Sequence, residues 1–272
     1  MDDLSRFYIF TGKGGVGKST LSLSFSKYLK NQNKNVKLVF FKTSKLDEGS
    51  LQYNVLLKEA NELGVQVLDL DLLECAQGYI ARKLNSKTIA SWIIKTPFFK
   101  SLINMIPGFN YVIYLGQILT MLEDDPSLVL VLDSPSSGHA LTMLQATTNF
   151  SEIFKSGAIF DDTKLMLSRM RQENFVKINV ITIPTTLSLQ EARELKQQIN
   201  QDFQYKIDIC CNFTLKDYAN EELPEFLKKK IANEVEAIGQ NQAELSVTIN
   251  LVLTEDNTSL IKELVPSMKS LV

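Results

Sequence analysis

The stretch Arg6-Phe7-Tyr8-Ile9-Phe10-Thr11-Gly12-Lys13-Gly14-Gly15-Val16-Gly17-Lys18-Ser19-Thr20-Leu21-Ser22-Leu23-Ser24-Phe25 decides the fold. Arg6–Thr11 is an apolar run that reads as a strand, and Leu21–Phe25 opens a helix. Between them the residues satisfy G-x-x-x-x-G-K-[ST] at every fixed position, in the strand–loop–helix context that this phosphate-binding pattern requires. Gly12, Gly14, Gly15 and Gly17 let the backbone N–H groups, that of Val16 included, turn inward around a polyphosphate. Lys18 reaches the outer phosphate oxygens, the Ser19 hydroxyl can ligate Mg²⁺, and Thr20 carries the cradle into the helix.

Outward from this loop, strands and helices alternate. A helix over Lys18–Asn31 and a buried strand over Val36–Phe41 complete a βαβ unit. Leu51–Leu63 reads as helix stopped by Gly64, and Val65–Leu70 as strand. From Leu73 to about Asp125 apolar residues recur at helical spacing, interrupted by Pro97 and Pro107-Gly108, which predicts roughly three or four helices. Ser127–Asp133 is a continuous apolar run ending in an acid, the pattern of a central parallel strand covered on both faces. Helix over Leu141–Arg171 precedes a strand at Val176–Ile183, stopped by Pro184. Helices at Leu189–Asn200, Pro224–Ile238 and Ser259–Leu271 then alternate with strands at Tyr205–Cys211 and Val247–Leu253. The expected fold is α/β: a doubly wound, mainly parallel sheet of about seven strands. Residues 1–272 read as a single domain, with 73–126 as a helical insertion.

The bulk properties narrow the function classes. A chain of 272 residues with 44% hydrophobic and 22% charged residues can bury a full core. A net charge of −2 gives no electrostatic case for nucleic-acid binding. Met1–Ser5 lacks the apolar segment of a secretory signal, and no stretch approaches the roughly 18 apolar residues of a membrane span. The expectation is a cytoplasmic protein that meets membranes only through a partner. Cys75, Cys210 and Cys211 form no C-x-x-C, and the adjacent pair reads as buried strand residues.

In such sheets ligands bind at the carboxyl ends of the strands. Asp133, ending its apolar run, is the acid expected to hold Mg²⁺ directly or through water. Ser134-Pro135-Ser136-Ser137-Gly138-His139 then reads as a loop able to sense a terminal phosphate. His139 is the only histidine, so it cannot build a multi-histidine metal site and reads as a positioning group.

The Gly-Lys-Gly-Gly start of the loop resembles the deviant phosphate loop of the partition, septum-site, nitrogenase-reductase and arsenite-pump ATPases. In that group the early lysine, here Lys13, reaches across a dimer interface to the partner's nucleotide. Three further blocks narrow the resemblance. Asp133–Leu141 is similar to the D-T-A-P-T-G-H-T-L switch of the arsenite-pump and tail-anchored-protein-targeting ATPases, and Ile183–Ala192 to their I-P-E-x-L-S-L-x-E-T segment. Met105-Ile106-Pro107-Gly108 resembles the start of their P-G-x-D-E helix. The matching blocks run in the same order from residue 6 to about 216. The resemblance implies ATP and Mg²⁺, catalytic roles for Lys13 and Lys18, Pro184 near the nucleotide, and Asn212 reading the adenine edge. It also implies a homodimer, or a heterodimer with a paralogue, and a hydrophobic protein client.

Departures from the pattern raise a second possibility. The family's second strand ends in D-P-A-H-x-L-x-D, whose first Asp activates the attacking water. Here Phe40–Asp47 puts Lys42 at or beside that position, and a charged lysine cannot accept a proton. Either Asp47 substitutes as the catalytic acid, or a partner chain supplies the missing group and Asp47 merely begins the next helix. An ATP-binding adaptor that hydrolyses slowly or not at all is therefore the alternative to an active ATPase. The family's zinc-clasp cysteines and the acid of P-G-x-D-E are also absent. Between 79 and 122, Trp92, Phe98, Met105 and many neighbours form either a client surface or an ordinary buried interface against the sheet or a sister subunit. Lys228-Lys229-Lys230, following Glu221, Glu222 and Glu225, reads as a solvated helix face.

Overall fold

A strand at Phe7–Gly12 (β1) is buried at every position and forms the centre of the sheet. The computed structural model describes residues 4–41, 51–135, 137–153, 155–203, 205–219 and 222–272. From β1 the chain passes through α1 (Lys18–Asn31), β2 (Asn35–Phe41), α2 (Leu51–Glu62) and β3 (Gln66–Leu70). Four helices follow: α3 (Leu72–Leu84), α4 (Lys87–Lys95), α5 (Pro97–Met105) and α6 (Phe109–Asp124). Then come β4 (Leu128–Asp133), α7 (Ser137–Ile153), α8 (Ala158–Met170), β5 (Val176–Thr182), α9 (Thr186–Asp202) and β6 (Lys206–Thr214). The series ends with α10 (Glu225–Asn241), β7 (Leu245–Asn250) and α11 (Asn257–Leu264). The strands form one seven-stranded sheet, ordered β3-β2-β4-β1-β5-β6-β7, and every pairing is parallel. The α/β, doubly wound expectation holds.

Side-chain alternation splits the core into two layers. Phe7, Ile9, Leu130, Leu132 and Ile178 pack with residues of α6, α7 and α9 on one face. Tyr8, Phe10, Leu38, Val129 and Val131 pack with α1 and α11 on the other. Because both faces are covered, the central strands are apolar at successive positions rather than alternating. The order reverses beside β1, so its carboxyl end, where the glycine loop begins, opens at the crevice that α/β sheets use for ligands.

The helical stretch between β3 and β4 is mostly core. α6 buries nine residues, Tyr114 stacks on Phe41 with ring centroids 4.4 Å apart, and Phe109 stacks on Phe150 at 5.3 Å. Asp71, Ser86 and Thr96 accept hydrogen bonds from first-turn N–H groups, which sets the starts of α3, α4 and α5. Trp92, Phe98 and Met105, by contrast, are 71%, 75% and 78% exposed. The stretch thus forms an interface with the sheet and also presents an outward apolar rim.

Several boundaries differ from the sequence reading. α7 starts at Ser137, so Gly138 and His139 lie in a helix and not in a loop. The helix expected over Leu141–Arg171 is two helices, parted before Gly157, whose φ of +97° ends helical continuity. β6 runs on to Thr214, placing Asn212 inside the strand. α11 stops at Leu264, and a 3₁₀ segment containing Pro266 finishes the chain. Among the described residues, no helix is long and apolar enough to cross a membrane.

Candidate functional site

The glycine loop takes its shape from backbone conformations closed to other residues. Gly12, Gly15 and Gly17 have φ of +145°, +80° and +91°. A Cβ on Gly12 would stand 2.1 Å from the Ile181 carbonyl oxygen, whereas one on Gly14 would meet nothing within 4 Å. The loop is therefore packed against β5 at its first glycine and open where a phosphate would sit. Gly12→Ala should cost about 3 kcal/mol or more through the clash and the backbone strain. Gly14→Ala should denature like the wild type; urea unfolding of the two variants measures the difference.

Lys18, Ser19 and Asp133 converge at the rim of this loop. The Ser19 hydroxyl donates to Asp133 Oδ2 at 2.5 Å, and Asp133 Oδ1 is buried with no partner. Burial raises the Asp133 carboxyl to about 6, opposed by the Ser19 hydrogen bond and the charge of Lys18. Burial likewise lowers the Lys18 amine, opposed by Asp133. In this conformation Lys18 Nζ donates to the Lys13 carbonyl at 2.7 Å. A half-buried carboxylate with an unused oxygen, touching a hydroxyl, fits Mg²⁺, which binds through one or two protein oxygens plus phosphates and water. Gly15, Gly17, Lys18, Ser19 and Asp133 line one cleft of about 710 Å³, and Thr20 lies along it.

Other candidate residues fall elsewhere. Lys13 pairs with Glu191 of α9, whose second carboxylate oxygen is buried without a partner. Asn212 is buried, and its amide donates to the Val16 carbonyl at 2.9 Å, so it ties the loop to β6 from below. Pro184 is buried and faces a different cleft, of about 550 Å³, beside α10. Lys42, Asp47 and Ser136 lie outside the described residues. Cys75, Cys210 and Cys211 are free and buried, and burial pushes the Cys75 and Cys211 thiols up to about 12.

Comparison with known proteins settles the family. The model of the anion-transporting ATPases matches residues 5–201, which takes in the glycine loop, Asp133 and Glu191. The chain belongs to the anion-transporting ATPase family. It is 24% identical over 209 residues to ATPase BagA of Mycobacterium tuberculosis, an alignment covering 72% of this chain and 61% of that protein. With arsenical pump-driving ATPase 2 of Aquifex aeolicus it shares 26% identity over 272 residues, covering 85% of this chain and 88% of the other. ATPase asna-1 of Caenorhabditis elegans is 26% identical over 163 residues, covering 54% and 47% respectively. The chain thus spans about three-fifths of the mycobacterial relative, 61% of its length.

In this member of the family two contacts at the site escaped the sequence reading. Glu191, the partner of Lys13, is distant in sequence, and only the apposition of α9 to the loop brings it close. Tyr111 of α6 meets His139 Nδ1 of α7 at 3.0 Å through its hydroxyl. Tyr111 also lies 6.2 Å, ring to ring, from Phe41 at the end of β2. One helix of the β3–β4 layer therefore touches the structure that follows Asp133 and the carboxyl end of β2.

Proposed function

We propose that the chain is a Mg²⁺-dependent ATPase whose nucleotide state drives a dimer and, through it, a protein partner. The convergence of Ser19 and the half-satisfied Asp133 beside the Lys18 cradle carries this reading. Lys18 and the loop amides would hold the phosphates, and Ser19 with Asp133 would hold Mg²⁺, which supplies charge neutralisation at the transferring phosphoryl group. The Asp133 end of β4 leads directly into α7, so movement there would pass through His139 and Tyr111 to α6. The exposed Trp92, Phe98 and Met105 on the same helical layer support a hydrophobic protein as the partner.

Single-turnover hydrolysis with purified chain in excess over ATP and Mg²⁺ tests the reading, and phosphate release is the expected result. Lys42 favours a second reading, a hydrolysis-deficient adaptor paired with an intact paralogue. Tight ATP binding without product, converted to hydrolysis by Lys42→Asp, would select it.

The dimer has its own test. Lys13 is 55% exposed at its side chain and held by Glu191 in the single chain. Its release toward a second subunit would cost little, because exposed ion pairs are worth about 0–1 kcal/mol. Lys13→Ala should leave ATP affinity within about threefold while abolishing ATP-induced dimers in light scattering. A variant that dimerises like the wild type would rule out the bridging role.

A further inference from the structure

We infer that Phe213 is the platform on which the nucleobase stacks, with Asn212 acting below it as a clamp on the phosphate loop. The inference rests on the nucleotide reading above. Phe213 has φ of +61°, a left-handed conformation that is costly for a bulky aromatic residue. The cost coincides with a break in the β6–β7 ladder, where the register shifts between Cys211 and Thr214. Three contacts just beyond Phe213 hold this break in place. Thr214 donates from its hydroxyl to Asn250 at 2.5 Å, its carbonyl accepts from Leu251 at 2.8 Å, and the Leu215 N–H donates to Glu234 at 2.9 Å.

The result of the bulge is positional. A Cβ on Gly17 would stand 2.4 Å from Asn212 Nδ2 and 3.1 Å from Phe213 Cζ. The ring therefore lies over the last glycine of the cradle, half-buried, and lines the same cleft as Lys18, Ser19 and Asp133. Asn212 is buried beside it and commits an amide hydrogen to the Val16 carbonyl. A nucleotide whose phosphates fill the loop must lead its sugar and base out along this cleft. Phe213 offers the base a flat apolar face there, and stacking on an aromatic ring needs no hydrogen-bond partner.

The test compares MgATP with Mg-tripolyphosphate, which has the phosphates and no base, on the full chain. Phe213→Ala should weaken ATP binding on the order of ten- to hundredfold and leave tripolyphosphate affinity within about twofold. Phe213→Trp, in a Trp92→Phe background so that the emission comes from one indole, should keep ATP affinity. Its fluorescence should be quenched by ATP and not by tripolyphosphate. Equal weakening of both ligands in Phe213→Ala, or of neither, overturns the stacking role. A wild-type chain that binds neither ligand overturns the nucleotide reading as well, which the alanine variant alone cannot do.

Discussion

Lys18→Ala is expected to reduce ATP affinity on the order of hundredfold and to abolish single-turnover hydrolysis. A charge-assisted contact to phosphate contributes roughly 1.5–3 kcal/mol, and among the described residues lining the cleft no second cation is placed to replace it. Lys13 is directed to Glu191 on the other side of the loop. The fold should be untouched, since the recorded hydrogen bond of the Lys18 amine is to the Lys13 carbonyl. Equilibrium binding with a fluorescent ATP analogue and a thermal melt of the same sample separate the two effects.

Asp133→Asn should have effects of opposite sign on activity and on metal-free stability. Hydrolysis should fall on the order of a hundredfold or more, because an amide oxygen is a poor substitute for a carboxylate beside Mg²⁺. In nucleotide-free, chelated protein the substitution should stabilise above pH 6. The sign follows from burial, which raises the Asp133 carboxyl from 3.8 to about 6 in the fold. Between these values the folded state holds a proton that the unfolded state has released, so stability falls as pH rises. The stabilising protonation is fully present below pH 3.8 and lost as pH passes through about 6. The loss should amount to about 1–3 kcal/mol in the wild type and be absent from Asp133→Asn. Urea midpoints of both proteins at pH 5 and pH 7.5 measure it. A wild type whose stability relative to Asp133→Asn is the same at both pH values would show that the carboxylate is not perturbed.

How much of this was legible in the sequence differs by residue for physical reasons. The cradle was readable because its glycines are demanded locally, by positive φ at Gly12, Gly15 and Gly17. The central strands were readable because burial on both faces leaves an unbroken apolar run, as in Leu128–Leu132. Asp133 stood out as an acid closing such a run. The start of α7 did not, because Ser134-Pro135-Ser136-Ser137-Gly138 is made of turn-forming residues and the helix there is set by tertiary contacts. Asn212 was picked out in the sequence, but its environment was not readable, since burial against Val16 arises from a strand and a loop far apart in the chain. Phe213 carried no signal at all, because its placement depends on a backbone bulge shared with β7. Glu191 belonged to a recognised segment, yet its pairing with Lys13 depends on how α9 docks on the sheet.

The relation between the loop and the β3–β4 helices was also hidden. Their apolar content was plain, but which residues face the sheet is a matter of packing. Tyr111, Tyr114 and Ile118 turn inward, while Trp92, Phe98 and Met105 turn out. The inward set gives α6 its contacts with Phe41 at the end of β2 and with His139 in the first turn of α7.

Equilibrium dialysis of the wild-type chain against ATP, with and without Mg²⁺, asks whether the cradle holds a nucleotide at all. Saturation at a single ATP per chain, strengthened by Mg²⁺ and competed by ADP, is the predicted result. No bound nucleotide at millimolar ATP and Mg²⁺, from protein whose melt shows it folded, would contradict it.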